Sequence, residues 1–296
     1  MPKLPPKKAV KKKVKRRLPT IHLMIVANTH DKEIGVGCKH DMRSIRKLFR
    51  NIVRRTPFQL TEYLVAGKKY TQDNIFKTLK SIKPKKLLDV VIFYYTGHGF
   101  SYQKDRSKKY PQLDFRSNPA DSNIKVVNAH TKNLEDIFAT IKEKGAGLNF
   151  VFGDCCNSTI DYKKLHVRKK KLPENKCILV NQDNCRQLFT NLDAHIISAA
   201  AKKGQYAISD KHIGSIYTYS FVKKFTELLN AKKGIGTNVW EYALKLAQVE
   251  TLKESRGYDI GTGKPSRQDS IYIVQKDKMD VTNFSGSIQL ARYPHK

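Results

Sequence analysis

Acidic side chains are scarce in this chain. Over 296 residues, 26 Asp and Glu stand against 57 Lys and Arg, a formal charge of +31. A surface so short of carboxylates is turned toward polyanions and acidic partners, though charge by itself says nothing about fold. Long apolar runs are missing too. None approaches the roughly 20 residues a helix needs to span a bilayer, so no membrane span is expected. The first residues are charged but lack the apolar core of a secretion signal, which argues against export by that route. Cysteine is sparse: five in all, an odd number with no metal-type spacing. That count argues against a disulfide framework or a zinc site and for a reducing compartment. A cytoplasmic location is expected, with a nuclear one as the alternative in a eukaryotic source.

What is abundant is concentrated at the start. Residues 1–17 hold nine Lys or Arg, three Pro and no acid. Such a run cannot bury apolar surface, so residues 1–20 read as a disordered basic tail, either a solvated charge run or an arm for nucleic acid or an anionic surface. Subtracting those nine from +31 leaves +22, so the remainder is basic as well.

From Ile21 the chain alternates in a βαβ manner. Ile21 to Ala27 reads as a strand, and Met42, Ile45, Leu48, Phe49, Ile52 and Val53 follow at helical spacing. A strand near Phe58 to Val65 comes next, then a helix from about Gln72 to Ile82. Ser101 to Val127 is polar and reads as too irregular for an element; Leu134, Ile137, Phe138 and Ile141 mark another helix. Asp161 to Asn191 shows no sustained period and reads as an exposed loop. Ala194 to Ala201 looks like a strand, and Gly214 to Phe221 enters a helix reaching about Leu229. Asn238 and Glu241 pair as a capping box ahead of a last helix. Ser270 to Val274 closes the sheet. The pattern predicts an α/β fold, a mostly parallel sheet with helices on both faces.

Two segments stand out. Val90-Val91-Ile92-Phe93-Tyr94-Tyr95 runs into Thr96-Gly97-His98-Gly99, and Phe150-Val151-Phe152-Gly153 runs into Asp154-Cys155-Cys156-Asn157-Ser158. A lone cysteine ending an apolar strand is ordinarily a small core hydrophobe. A cysteine and a histidine that each end such a strand suggest a nucleophile and its base, delivered to the crevice at the carboxyl ends of an open sheet. Neighbouring strand residues point in opposite directions, so only one of Cys155 and Cys156 should face His98.

Both segments resemble the caspase and metacaspase group of cysteine peptidases, with Asp154 two residues before Cys156 as in the metacaspase form. The resemblance spans about residues 21–275 and implies a caspase-like three-layer sandwich around a sheet of about six strands. It divides the chain into a large-subunit-like region (21–160), a basic loop (161–192) and a small-subunit-like region (193–275), with 276–296 a C-terminal tail. The family match falls on Cys156 as nucleophile. It implies endopeptidase cleavage through a thioester acyl-enzyme, with His98 as base and the amides of Gly99 and Cys156 as an oxyanion hole. Gly99 would let the main chain approach the substrate. No third acid is evident; a backbone carbonyl could orient the imidazole.

Asp41 and Asp154 match acids with which metacaspases receive Arg or Lys, and Thr96 lies beside them as a further substrate-binding residue. The basic loop, with Lys163, Lys164, Arg168, Lys169, Lys170 and Lys171, is a candidate for self-processing. The chain departs from the pattern at Asn157 and Thr159, where the family commonly has His and Gly. Lys132-Asn133 stands where an acidic calcium-binding pair would be expected, and Asp105, Asp114 and Asp121 lie among basic residues. No cofactor or metal is expected, calcium included. The alternatives to a peptidase are a catalytically silent scaffold of the same fold and a basic nucleic-acid-associated protein.

Overall fold

The computed structural model describes residues 18–102, 105, 107–116, 123–159, 172–174, 176–189, 194–235, 239–259 and 264–276. Residues 1–17 and 277–296 of the two tails, the Lys163–Lys171 cluster, Asp121 and Asn238 lie outside them, while Thr20, counted with the basic tail, already belongs to the first strand.

Strands β1 (Thr20–Ala27), β2 (Gln59–Ala66), β3 (Val90–Thr96), β7 (Leu148–Asp154), β8 (Ala194–Ala199) and β11 (Ile271–Gln275) form one sheet in the order β11-β8-β7-β3-β1-β2. Every pairing is parallel except that of β11 with β8. The near-continuous apolar runs of β1, β3 and β7 reflect burial on both faces, since helices cover each side. Strand parity separates the two cores. Leu23, Ile25, Ile92, Tyr94, Phe150 and Phe152 face helices α1 (Gly35–Val53), α6 (Ile216–Leu229) and α7 (Val239–Ser255). Met24, Val26, Val91, Phe93, Tyr95 and Val151 face α2 (Gln72–Ser81) and α4 (Leu134–Lys142). On the first side Phe152 touches Tyr217 and Phe221 at ring separations of 4.8 and 5.2 Å, and Phe225 meets Trp240 at 5.0 Å. Each such ring removed from water is worth about 2–3 kcal/mol, which clamps α6 and α7 onto the strands that carry the reactive residues.

Two expectations fail. Residues 101–127 are not without elements: β5 (Gln112–Asp114) pairs antiparallel with β4 (Gly99–Phe100) and with β6 (Thr131–Asn133), and α3 (Ile124–Ala129) follows. These strands are two or three residues long and polar, so only pairing across the fold reveals them. The segment read as an exposed loop alternates between buried and exposed side chains over 176–189. It forms α5 (Gln182–Gln187), and Cys177, Leu179, Cys185, Leu188 and Phe189 join the core. Asn51 of α1 donates to the Cys177 carbonyl at 2.7 Å, and Trp240 of α7 donates to the Leu188 carbonyl at 3.1 Å. Its anchors are long-range, which is why no local period betrays it.

Strand order also fixes where a site can form. After β1 the chain crosses to β2 on one side and then returns to β3 on the other, leaving a crevice at the carboxyl ends of β1 and β3.

Candidate active site

Register places the two reactive residues symmetrically. Thr96 of β3 pairs with Asp154 of β7, and two residues beyond each come His98 and Cys156. Both line one cleft with Asp41, Thr96, Asp154 and Ser215. The two turns lock together: the Gly97 N–H donates to the Asp154 carbonyl at 3.4 Å, and the Ser101 N–H to that of Ser158 at 2.7 Å. A Cβ on Gly99 would lie 2.8 Å from both the Cys155 Cβ and the Cys156 carbonyl oxygen. Glycine at 99 is therefore required by contact between the His and Cys turns.

The adjacent cysteines part company. Cys155 is buried in the second core with Tyr95 and Val151, and burial pushes its thiol far up. Cys156 is partly open to the cleft, and its sulfur accepts the Ala207 N–H at 3.3 Å. Desolvation lifts the Cys156 thiol to about 11, against the pull of that N–H. Cys156 is thus a neutral thiol at rest and needs a base to become a nucleophile.

The departures just past the thiol have a structural role. Asn157 is fully buried; its side-chain amide donates to the carbonyls of Lys109 and Ala201, and its N–H to that of Gln205. Gln205 is itself held by Asp269, so the 202–207 turn that brings Ala207 to the sulfur is tied on both sides. Thr159 bridges to Ser101 beside β4.

Asp41 and Asp154 come together at the base of the cleft, both almost wholly buried. Thr96 Oγ1 and the Ser215 N–H donate to Asp41 at 2.9 and 2.8 Å. Ser215 Oγ donates to Asp154 at 2.6 Å, and Thr218 Oγ1 donates to its other oxygen. Thr96 thus serves the pair by holding Asp41. Ser215 also caps α6 through Tyr217 N–H, so Asp154 sits against the positive end of that helix. Burial first, then the Asp154 charge, hold Asp41 well above the usual carboxylate range, and burial raises Asp154 as well. Strands β9 (Ser209–Asp210) and β10 (Gly214–Ser215) form an antiparallel hairpin, in which Gly214 has φ +82° and a Cβ would collide with an Asp41 oxygen.

One acid was not anticipated. His98 Nε2 lies 3.0 Å from Asp31 Oδ2, in the turn between β1 and α1. A sequence with Asp three residues ahead of Ile34 reads as an ordinary turn or helix lead-in, and nothing local points it at His98. Ser215, Thr218 and Ala207 were missed for the same reason. The other acids weighed as ion ligands are otherwise engaged: Asp114 is paired with the buried Arg116 at 2.6 Å, and Asp105 accepts from Ser107. Asn133 caps α4 through the Glu135 N–H. No group of three or more metal-ligating side chains occurs among the described residues.

Compared with known proteins, the chain matches a family model described as a caspase domain over residues 22–251. The chain belongs to the caspase-domain family. No curated protein matches it. Among solved structures, caspase-1 from Spodoptera frugiperda is similar to it, with 10% identity and a TM-score of 0.49 over 88% of this chain and 86% of that one. The cleft at the ends of β1, β3 and β7 thus belongs to a cysteine-peptidase scaffold, and the match covers every residue named in it.

Proposed function

We propose that this caspase domain is a cysteine endopeptidase that cleaves polypeptides after Arg or Lys. The observation that carries the reading is the juxtaposition in one cleft of Cys156, His98 and the buried pair Asp41 and Asp154. His98 takes the thiol proton as Cys156 Sγ attacks the scissile carbonyl, then delivers it to the leaving amine; water hydrolyses the thioester with His98 as base. The amides of Gly99 and Cys156 are the oxyanion donors of this proposal. A basic side chain enters toward Asp41 and Asp154, and the rigid planar fork of a guanidinium can meet both carboxylates together. A substrate Asp would meet two buried acids and be rejected.

A fluorogenic peptide panel tests this. Wild type cleaves after Arg and Lys but not after Asp, and Cys156→Ala is inert. Cleavage after Asp, or an active Cys156→Ala protein, removes the reading.

A further inference from the structure

Asp31 is an expensive residue where it stands. Its side chain is 4% exposed, and among the described residues its only ionic partner is His98. An isolated buried carboxylate costs several kcal/mol, so it persists only where hydrogen bonds hold the charge. Its two oxygens divide the work. Oδ1 accepts the N–H groups of Glu33 and Ile34 at 2.8 and 2.9 Å, while Oδ2 faces His98 Nε2 at 3.0 Å. The first pair of bonds needs no charge, since an Asn or Ser at the same place would cap the turn equally well. The second does. Burial raises the carboxyl, but the His98 hydrogen bond, the two amides and the His98 charge together outweigh it and leave it below the usual range.

We infer that Asp31 is a positioning residue for His98, accepting its Nε2–H so that Nδ1 carries the lone pair that takes the Cys156 proton. The inference rests on the peptidase reading of this cleft. An imidazole has two tautomers, and only the one with hydrogen on Nε2 can both donate to Asp31 and accept at Nδ1. During attack the Sγ–carbon bond forms, the carbonyl π pair moves to oxygen and the thiol proton passes to Nδ1. Collapse then breaks the carbon–nitrogen bond, with that proton leaving on the amine. His98 is cationic between those events, and the fixed Asp31 charge stabilises it there while remaining ionised. Because the thiol is neutral at rest, this stabilisation bears on the rate of attack.

Asp31→Asn separates this role from a structural one. Its amide oxygen can still accept from Glu33 and Ile34, but its NH2 now faces Nε2 and selects the wrong tautomer. With an Arg peptide, kcat is expected to fall roughly 10²- to 10⁴-fold, with KM within about threefold and Tm unchanged. Asp31→Glu should recover part of the loss. A kcat within about threefold of wild type in Asp31→Asn would overturn the inference. Nitrogen-15 NMR of the imidazoles, with His98→Gln for assignment, reads the tautomer without a substrate: Nε2–H is expected in wild type, and Nδ1–H there would overturn it. A wild type that shows Nε2–H but cleaves no peptide would sink the peptidase reading while supporting the hold of Asp31 on the ring.

Discussion

Replacing Asp41 by Asn should move stability and activity in opposite directions. In the free protein Asp41 and Asp154 are buried together and both titrate above an ordinary carboxyl. An unfolded Asp titrates near 3.8, so around and above that pH the folded state holds protons that the unfolded chain releases. The stability this confers is full below about pH 4 and is lost as pH rises through the folded value. As pH rises toward 7.5 the wild type therefore loses that stability and bears the cost of confining two acids side by side. Asn keeps an acceptor for the Ser215 N–H and can donate to Thr96 Oγ1, so the two bonds at 2.8 and 2.9 Å survive in form. Leaving a polar group buried without full compensation costs about 1–3 kcal/mol, and more for a charge, which sets the scale of the relief. In a domain of this size that is about 2–4 °C of Tm per kcal/mol. Thermal melts should show Asp41→Asn above wild type at pH 7.5 and the two converging near pH 4. Toward an Arg peptide the same change removes half of the counter-charge. Losing one partner of a buried pair costs about 2–5 kcal/mol, or about 30- to 5,000-fold in kcat/KM. A variant less stable than wild type at pH 7.5, or one with unchanged kcat/KM for Arg, would refute the account of this pocket.

Cys156→Ala and His98→Ala should each abolish peptide hydrolysis while Cys155→Ala keeps a substantial fraction, since Cys155 packs in the core; the opposite pattern in a kinetic assay would reassign the nucleophile. Gly214→Ala should lower Tm by several degrees and depress cleavage after Arg, because a Cβ there meets the Asp41 carboxylate and φ +82° costs roughly 1–2 kcal/mol with a side chain present. Unchanged melting and kinetics would show the hairpin to be freer than described. Purified wild type should nick itself between Lys163 and Lys171 and Cys156→Ala should stay intact; equal nicking of both, followed by mass spectrometry, would trace the cut to another protease.

The sequence by itself determined the central strands and the placing of His98 and Cys156 just past the ends of two of them. Val90–Tyr95 and Phe150–Phe152 are apolar throughout because both sheet faces are covered, and their abrupt endings in Thr96-Gly97-His98-Gly99 and Asp154-Cys155-Cys156 are local facts. The amphipathic stripes of α1, α2 and α4 are equally local. Tertiary structure decided the rest. The strands β4, β5 and β6 are too short to have a period, and Cys177, Leu179, Cys185, Leu188 and Phe189 are buried only by joining the core shared with α1, α6 and α7. Which cysteine opens to the cleft was a matter of parity until Gly99 packed onto Cys155. Asp31 reached His98, and Ser215 reached both buried acids, across gaps of 67, 174 and 61 residues. Side chains so far apart in sequence share no pattern. They meet because parallel strands in fixed register bring every loop at their carboxyl ends into one crevice.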